Sequence, residues 1–560
     1  MTWRYRFTFL VLIAFFVIVI GRLFYWQVVK AQELSLLGQQ QYGTSITISP
    51  QRGEIKTSDG FPIVTNKISY LVFANPREVK DKAKTIKILS EVLKLDQASI
   101  SASLSLDKFW VPITTGIDTE TKNLVDSLNI PGIGFEKQYS RFYPEASLAA
   151  QLVGFVGKDE AGSDKGYFGL EGFYNRLLKG KEGIAVQIHD AFGKPILARI
   201  NNQTGQIDGS SLILSLNRPI QFYIEKVIKE SVEQYGATSG MVGVMDPKTG
   251  EILAMASYPN FDPRNYQDYS ESFYKNPFIS DTYEPGSTFK PLVMSSALDA
   301  KLVKPDSKCP ICAGPVSVGG YELHTWNDKY YKDITMTDVI LHSDNTGMVY
   351  VAQKLGTERM INYLTKFGMG NLTGIDLQGE VSPALKPKSQ WYPVDLATTG
   401  FGQGISVTPI EVLTAISTIA NGGKRMEPHV VSGVENPDGT LVKIPPRVVD
   451  SPISAETAKV MTEIMINAVE KGEASWTKLD GYRIAGKTGT ASIPVNGHYD
   501  PTKTIASFVG FAPADKPRFA MIVILNKPTT SIYGAETAAP IFFKIARNIL
   551  SYFQIPPSGK

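Results

Sequence analysis

The feature that most restricts the fold of this chain is an apolar run near its N-terminus. Arg4 and Arg6 precede the run, which covers residues 7–20, and Arg22 and the aromatic pair Tyr25–Trp26 follow it. A membrane-spanning helix needs about 20 mainly apolar residues, and a lone segment inside a bilayer satisfies its backbone groups only as a helix. We therefore predict one spanning helix, with Arg22 reaching the interface where the two aromatic rings lie.

A cleaved secretory signal would also combine a short basic segment with an apolar stretch. No small-x-small cleavage motif follows the run, so the pattern favours an uncleaved anchor. Arg4 and Arg6 then favour a cytoplasmic N-terminus. Everything after residue 30 is expected outside the cytoplasm, at the cell membrane.

The composition is that of a globular chain with a large core. The 560 residues are 43% hydrophobic and 20% charged, which is enough for roughly three to four domain-sized units. Lysine and arginine number 57 against 54 aspartate and glutamate, without a block of five like charges. This balance indicates neither a nucleic-acid arm nor an acidic tail.

The two cysteines of the chain, Cys309 and Cys312, stand in the sequence Cys-Pro-Ile-Cys. The spacing is compatible with a local disulfide, half of a zinc site or two free thiols. Zinc would need two further ligands, and only His324 is near in the sequence, whereas an extracytoplasmic compartment permits disulfides. The sequence favours the disulfide, and no metal site is predicted.

Two regions of different pattern follow the anchor. Residues 31–209 mix β-like runs such as 69–74 with helix-like runs such as 83–93, which is typical of an irregular α+β module. A strand followed by a helix-like stretch over 219–235 places a boundary close to residue 210.

The C-terminal region has a pair of strands near each of its ends. Apolar strands at 239–245 and 251–257 are joined by a turn that contains proline and glycine, and a second strand pair, 504–511 and 519–525, precedes a final helix. Strands at both ends with helices between them predict one antiparallel sheet covered by helices, in an α+β fold. The last helix is expected to pack back on the sheet.

Three short motifs stand in this region, in the order S-x-x-K, S-D-N and K-T-G. They are Ser287-Thr288-Phe289-Lys290, Ser343-Asp344-Asn345 and Lys487-Thr488-Gly489. Each motif alone is weak evidence, because short patterns arise by chance in a chain of this length. Their joint occurrence in this order is a strong signal.

Ser287 is the candidate nucleophile. Pro285 and Gly286 place it in the first turn of a helix, where Lys290 lies one turn on and is expected to reach its hydroxyl as a base. A lysine with its ordinary pKa of about 10.4 is a poor base at neutral pH. Burial and a second cation, Lys487, must lower that pKa, or proton transfer must be concerted with attack. Taken singly, a helix cap and a solvated lysine are the plainer interpretations.

The second motif is predicted to lie in a loop between two helices. Ser343 can relay a proton there, and Asn345 can hold a substrate amide or orient Lys290. The alternative is that the motif is only the N-cap of the second helix.

The third motif is predicted to be a short strand at a sheet edge, where a peptide can add as a further strand. Lys487 and Thr488 would then hold a terminal carboxylate, and Gly489 would permit close approach. The backbone N–H groups of Ser287 and Thr490 would form an oxyanion hole. The alternative is a hairpin with no chemical role.

The three motifs together mark penicillin-binding proteins and class A β-lactamases. The chain resembles the class B penicillin-binding proteins from the anchor nearly to the last helix. Its stretches 400–404 and 408–409 look like that family's Gly-rich segment. Arg52-Gly53-Glu54-Ile55 and Gly169-Leu170-Glu171 resemble its pedestal motifs.

The resemblance implies three parts: a cytoplasmic tip and transmembrane anchor at 1–30, a non-catalytic pedestal or dimerisation domain at 31–209, and a serine β-lactamase-like transpeptidase domain at 210–556. It also implies a peptidoglycan D,D-transpeptidase. Ser287 would attack the penultimate D-alanine carbonyl of a stem peptide, D-alanine would leave, and an amine of a neighbouring stem would resolve the acyl-enzyme. Penicillins would acylate the same serine.

No metal or organic cofactor is implied. Glycan polymerisation would fall to a partner, a polytopic polymerase of the shape, elongation, division and sporulation family. The flank of the third motif, 481–491, looks closer to division enzymes than to elongation enzymes. Two departures from the family pattern are Asp344, where a small residue such as serine is common, and the less basic stretch 56–60.

Two alternatives remain at this stage. A β-lactam hydrolase or sensor would share the motifs, but the long pedestal and the single predicted span argue against both. A catalytically silent scaffold of the division machinery is the alternative from another class. The presence of every proposed catalytic residue argues against it.

Overall fold

The computed structural model describes residues 2–34, 43–48, 50–160, 162–188, 201–495 and 498–557. The chain divides into two compact units. The first consists of Met1–Arg52, Asn66–Ser140 and Lys179–Gly209, and the second of Gly53–Thr65, Arg141–Leu178 and Ser210–Lys560.

The helices and strands are numbered in chain order. The α-helices are α1 (Thr2–Phe24), α2 (Lys82–Leu93), α3 (Gln97–Leu104), α4 (Thr119–Ser127), α5 (Ala150–Val153), α6 (Gly169–Phe173), α7 (Asn175–Lys179), α8 (Arg218–Tyr235), α9 (Pro277–Ser280), α10 (Lys290–Asp299), α11 (Met336–Leu341), α12 (Asn345–Leu355), α13 (Thr357–Phe367), α14 (Pro393–Thr399), α15 (Pro409–Ala420), α16 (Ala455–Lys471) and α17 (Ala538–Tyr552). The strands are β1 (Gly43–Ile48), β2 (Ile55–Lys56), β3 (Pro62–Ala74), β4 (Val111–Ile117), β5 (Ile133–Phe142), β6 (Phe155–Lys158), β7 (Asp164–Tyr167), β8 (Gly183–Ile188), β9 (Asn201–Thr204), β10 (Ser211–Leu214), β11 (Ser239–Met245), β12 (Ile252–Tyr258), β13 (Val316–Val318), β14 (Tyr321–Leu323), β15 (Arg425–Met426), β16 (Val431–Glu435), β17 (Leu441–Lys443), β18 (Val448–Asp450), β19 (Ala485–Val495), β20 (His498–Ala512) and β21 (Phe519–Asn526).

The predicted N-terminal helix is present as α1, which a π-helical turn extends through Tyr25–Val29. Within the described part of the chain it is the one helix long and apolar enough to cross a membrane. The guanidinium of Arg22 lies 5.7 Å from the ring centre of Tyr25 and 5.2 Å from that of Trp26. The aromatic pair thus shields the charge at the end of the apolar run by cation–π contact.

In the first unit, α2, α3 and α4 share one small core. Each helix begins after an aspartate N-cap whose carboxylate accepts a backbone N–H of the first turn, and these caps are Asp81, Asp96 and Asp118. Leu89 and Val125 contribute buried side chains to the core, which also contains the end of β3. The irregular α+β character predicted for this region is present.

The centre of the second unit is a five-stranded antiparallel sheet in the order β12-β11-β21-β20-β19. Along β21, Phe519, Met521, Val523 and Leu525 enter one core, and Ala520, Ile522 and Ile524 enter the other. Successive side chains of a strand point to opposite faces, so both faces of the sheet are covered. Helices α8 and α17 cover one face, and α15 packs against β11, β20 and β21 on the other. The predicted α+β arrangement is confirmed, including the return of the last helix to the sheet.

Gly53 and the segment Gly169-Leu170-Glu171, which belong to the pedestal-like motifs, are tightly packed within the second unit. Glu171 is fully buried and accepts a hydrogen bond from Arg141 Nε at 2.7 Å. A Cβ on Gly53 would lie 1.9 Å from the carbonyl oxygen of Ser210, so only glycine fits there. The compact units cut the chain differently from the three parts inferred from the sequence, whose boundaries stay a prediction.

Cys309 and Cys312 form the disulfide that the sequence favours. The N–H of Cys309 donates to the carbonyl of Ile334, and the carbonyl of Cys312 accepts from Tyr331. The Tyr331 ring stacks on His342 with ring centres 4.4 Å apart. The disulfide therefore helps to hold Tyr331 in place, and Tyr331 packs on His342, the residue before Ser343.

Candidate active site

The three motifs meet on one side of the β19 edge of the central sheet. Gly286–Phe289 form a 3₁₀ turn that runs directly into α10 at Lys290. A 3₁₀ turn has three residues, so positions i and i+3 lie one above the other. Ser287 and Lys290 therefore share a face, as predicted, with Ser287 partly exposed and Lys290 fully buried.

Ser343 lies between the other two residues. Its Oγ donates to Ser287 Oγ at 2.9 Å, and Lys290 Nζ lies 3.3 Å from the same Ser343 Oγ. The sequence predicted direct contact between Lys290 and Ser287, whereas among the described hydrogen bonds the two are joined through Ser343. The reason is a backbone one: Ser343 has φ +55°, in the left-handed region that a β-carbon disfavours, and the following Asp344 is the N-cap of α12.

Asn345 completes the surroundings of Lys290. Lys290 Nζ donates to the Ser343 carbonyl at 2.6 Å and to Asn345 Oδ1 at 2.8 Å. These two oxygens can only accept, so they fix two N–H bonds of the lysine. The third direction points at Ser343 Oγ, so a neutral Lys290 presents its lone pair to that hydroxyl. Asn345 is itself held by its Nδ2, which donates to the carbonyl of His324 at 3.0 Å.

The surroundings of Lys290 favour its neutral form. Burial holds the pKa of Lys290 well below its usual value, and the positive charge of Lys487 lowers it further, against the opposing charges of Asp344 and Glu473. An ammonium ion loses its hydration when buried, and a like charge nearby adds repulsion. The fold thus supplies both conditions that we expected a lysine base to need, which are burial and a second cation nearby.

Lys487 and Thr488 lie on β19 as predicted, and the structure adds an acidic neighbour. Lys487 Nζ donates to Thr488 Oγ1 at 3.0 Å, and Thr488 Oγ1 donates to Glu473 Oε2 at 3.2 Å. Burial lowers the pKa of Lys487 as well, and Glu473 opposes the shift. Glu473 was missed in the sequence analysis, because it follows α16 in a segment without a motif and only the fold brings it to β19.

Gly489 and Thr490 lie against the 3₁₀ turn Gly286–Phe289, which carries Ser287 and is called the nucleophile turn below. A Cβ on Gly489 would come within 2.4 Å of Ser507 Oγ and 2.7 Å of Thr288 Cγ2. The glycine is therefore required by packing of the turn on the strand, whatever its part in binding. A Cβ on Gly286 would lie 3.3 Å from the Thr490 carbonyl oxygen, which makes the backbones of the two segments neighbours.

Two family models match the chain. The model described as the penicillin binding protein transpeptidase domain matches residues 240–548, and that of the penicillin-binding protein dimerisation domain matches residues 47–214. The chain belongs to the penicillin-binding protein transpeptidase family. A dimerisation domain in front of the transpeptidase domain makes it a class B penicillin-binding protein.

Known proteins are similar to this chain over nearly its whole length. The chain is 34% identical to stage V sporulation protein D of Bacillus subtilis, over 97% of this chain and 84% of the relative. It is 28% identical to the peptidoglycan D,D-transpeptidase FtsI of Escherichia coli K12, over 96% of this chain and 90% of the relative. Penicillin binding protein 3 of Mycobacterium tuberculosis, solved in complex with ampicillin, has 26% identity and a TM-score of 0.72, over 92% and 98% of the two chains.

These findings place the chain among the division-type class B penicillin-binding proteins, which bind peptidoglycan substrates and β-lactams. The hydrolase, sensor and scaffold alternatives are not favoured. Together with helix α1, the relatives support a membrane-anchored protein.

The Gly-rich stretch of this penicillin-binding protein supports the nucleophile turn from behind. Gly286, at φ +55°, donates its N–H to the carbonyl of Gly402 at 2.9 Å. A Cβ on Gly402 would lie 2.2 Å from the Gly286 carbonyl oxygen. The stretch therefore has a definite packing role one residue before Ser287.

Asp344, which departs from the family pattern, is compatible with the site. Its carboxylate is the N-cap of α12 and accepts from Gly347 N–H at 2.8 Å. Among the described residues, its second oxygen is buried without a hydrogen-bond partner. The charge of Asp344 raises the pKa of Lys290 against the larger effect of burial, so the departure tunes the base and removes no proposed catalytic group.

Proposed function

We propose that this class B penicillin-binding protein is a serine D,D-transpeptidase of septal cell-wall synthesis, in which Lys290 activates Ser287 through Ser343. The observation that carries the proposal is the chain of contacts from Lys290 Nζ to Ser343 Oγ at 3.3 Å and from Ser343 Oγ to Ser287 Oγ at 2.9 Å. A nucleophile within hydrogen-bond reach of a base that a third group orients is the arrangement of covalent catalysis. Asn345 is the orienting group.

Acylation follows from this arrangement. For proton transfer the two hydroxyls rotate, so that Ser287 donates to Ser343 and Ser343 donates to neutral Lys290. Ser287 then gives its proton to Ser343 Oγ as Ser343 gives its own to Lys290, and Ser287 Oγ bonds to the penultimate D-alanine carbonyl carbon. The backbone N–H groups of Ser287 and Thr490 stabilise the oxyanion. Lys290, now charged, returns its proton through Ser343 to the nitrogen of the terminal D-alanine, which leaves as the C–N bond breaks.

The donor stem lies along β19 as an added edge strand. Lys487 and Thr488 hold its terminal carboxylate, with Gly489 between them and the nucleophile turn. An amine of a neighbouring stem then attacks the ester carbon, and Lys290 takes its proton. Lys290 passes this proton through Ser343 to Ser287 Oγ as the ester C–O bond breaks, which regenerates the free serine and the neutral lysine. The product is a cross-link, and each cross-link releases one D-alanine.

The biological setting is also proposed. The FtsI relative supports septal synthesis, with α1 (2–24) as a single-pass anchor in the cytoplasmic membrane, a pedestal at 31–209 and an extracytoplasmic transpeptidase domain at 210–556. A polytopic polymerase of the shape, elongation, division and sporulation family supplies glycan strands. The likeness to a sporulation protein supports a second candidate setting, in which the same reaction builds wall during sporulation.

Labelling with a fluorescent penicillin tests the proposal. The full chain in detergent, compared with Ser287→Ala, is mapped by intact mass and peptide mapping. An adduct on Ser287 that persists for many minutes and is absent in the variant is expected. Rapid turnover of the adduct would support a hydrolase instead, and no adduct on a folded chain would support the scaffold.

A further inference from the structure

Glu473 is a partly buried acidic residue beside Thr488 and Lys487, the two residues proposed to bind the substrate carboxylate. Its Oε2 accepts from Thr488 Oγ1, which in turn accepts from Lys487 Nζ. Its Oε1 is buried and has no hydrogen-bond partner among the residues described. An unpaired buried carboxylate oxygen is costly unless nearby charge compensates for it.

The compensating charges are those of the two lysines. The charged groups that act on this cluster are Lys487 on β19, Lys290 on α10 and, beside Lys290, Asp344 before α12. Two ammonium groups in one low-dielectric site repel each other, so one loses its proton well before the other.

We propose that Glu473 is a positioning residue that assigns the two proton states, keeping Lys487 charged and Thr488 oriented while Lys290 serves as the neutral base. This inference rests on the proposed function, in which Lys487 binds a carboxylate and Lys290 takes a proton.

The asymmetry of the surroundings supports this assignment. Lys487 has Glu473 as its opposing charge, reached through the hydroxyl of Thr488. Lys290 is repelled by Lys487, a repulsion that Asp344 and Glu473 oppose, and its hydrogen-bond acceptors are the neutral oxygens of Ser343 and Asn345. Glu473 is therefore closest in the bonded network to the cation that must remain charged.

The signs of the expected pH effects follow. Activity rises with pH as Lys290 loses its proton and falls at higher pH as Lys487 loses its proton. Glu473 raises the pKa of both lysines, so removal of its charge lowers both. Both limbs of the pH profile then move to lower pH. Asp344 acts on Lys290, so removal of its charge moves the rising limb.

The test is the pH dependence of the second-order rate constant for penicillin acylation of the full chain in detergent. Glu473→Gln retains an acceptor for Thr488 Oγ1, and we expect both limbs to move down by about one pH unit. Glu473→Asp retains the charge and is expected to restore the limbs toward their wild-type positions. Asp344→Asn, which retains an N-cap, is the matched control and is expected to move only the rising limb.

A lower rate with unmoved limbs in Glu473→Gln would overturn the proposal and leave Glu473 a packing role. If that variant does not fold, Glu473→Thr removes the charge while keeping a hydroxyl acceptor, and it must show the same two shifts. Failure of the proposed function is a different outcome, because penicillin would then either not acylate Ser287 of the wild-type chain at any pH or be released rapidly from it.

Discussion

At the scale of single residues, the site depends on where two side chains lie rather than on which motifs they belong to. Lys290 is a usable base because the core excludes water from it, and Ser343 is a usable relay because a left-handed backbone places its hydroxyl beside Ser287. Neither condition is visible in the letters of the motifs.

The relay itself is the first prediction. Ser343→Ala leaves Ser287 and Lys290 in place but removes the atom that joins them, so acylation by penicillin is expected to slow by about 10²- to 10⁴-fold. Stopped-flow measurement of the second-order rate constant checks this. The matched control is Ser295→Ala on α10, which removes a buried hydroxyl whose one hydrogen bond among the described residues goes to the Leu292 carbonyl. A loss of less than threefold in Ser343→Ala would contradict the relay.

The second prediction concerns the effect of the buried Lys290 on how the free energy of unfolding depends on pH. The pKa of Lys290 in the folded chain lies below its unfolded value of about 10.4, so between the two values the unfolded chain binds one more proton and the free energy of unfolding rises with pH. Lys290→Met lacks this contribution. The stability of the variant relative to wild type is therefore expected to fall steadily from neutral pH to about pH 10.

Denaturation midpoints of both proteins, measured at several pH values, give this comparison. Lys301→Met, an exposed substitution just beyond the same helix, is the control and should show no such trend. A constant difference between Lys290→Met and wild type across the range would show that Lys290 is charged when folded.

At the scale of elements, β19 combines two tasks. It is the edge strand of the sheet and the surface on which the nucleophile turn packs, and Gly489 serves the second task. Short apolar runs bounded by turn residues predicted β11, β12, β20 and β21, because such runs are a local signal of buried strands. Contacts between segments distant in sequence are not encoded locally. The sequence suggested Ser343 as a proton relay but predicted direct contact between Lys290 and Ser287, and it missed the approach of Glu473 to Thr488.

The third prediction is at this scale. Gly489→Ala forces a Cβ against Thr288 and Ser507, and overpacking of this kind destabilises a core by about 1–3 kcal/mol. The variant should also acylate more slowly, because the turn that carries Ser287 must shift. Gly314→Ala, where a Cβ meets no neighbour, is the control for thermal melting and acylation. Equal melting temperatures and equal acylation rates of the two variants would show that packing does not require a glycine at position 489.

At the scale of the whole molecule, the second unit unites segments that are far apart in sequence. Arg141 and Glu171 precede its main segment, yet they form a pair that is 5% and 0% exposed. Sequence patterns predicted the disulfide and the central sheet. They did not predict the grouping of 53–65 and 141–178 with the C-terminal segment, because this grouping depends on long-range packing.

The fourth prediction separates stability from chemistry at this scale. Glu171→Ala removes the buried carboxylate that accepts from Arg141 Nε, and breaking a buried ion pair costs about 3–5 kcal/mol. The melting temperature should fall, while penicillin acylation well below the transition stays near wild type, because the pair is not part of the site. The double variant Arg141→Met with Glu171→Leu should recover much of the loss. Normal melting of Glu171→Ala would contradict the importance of the pair.

The most direct test of the central claim is product analysis with a D-alanyl-D-alanine stem donor and an amine acceptor. The full chain is incubated with both in detergent, and cross-linked product and released D-alanine are quantified by mass spectrometry beside Ser287→Ala. We expect one D-alanine for each cross-link in the wild type and neither product in the variant. Cross-links formed by Ser287→Ala, or release of D-alanine without cross-linking in the presence of the acceptor, would contradict it.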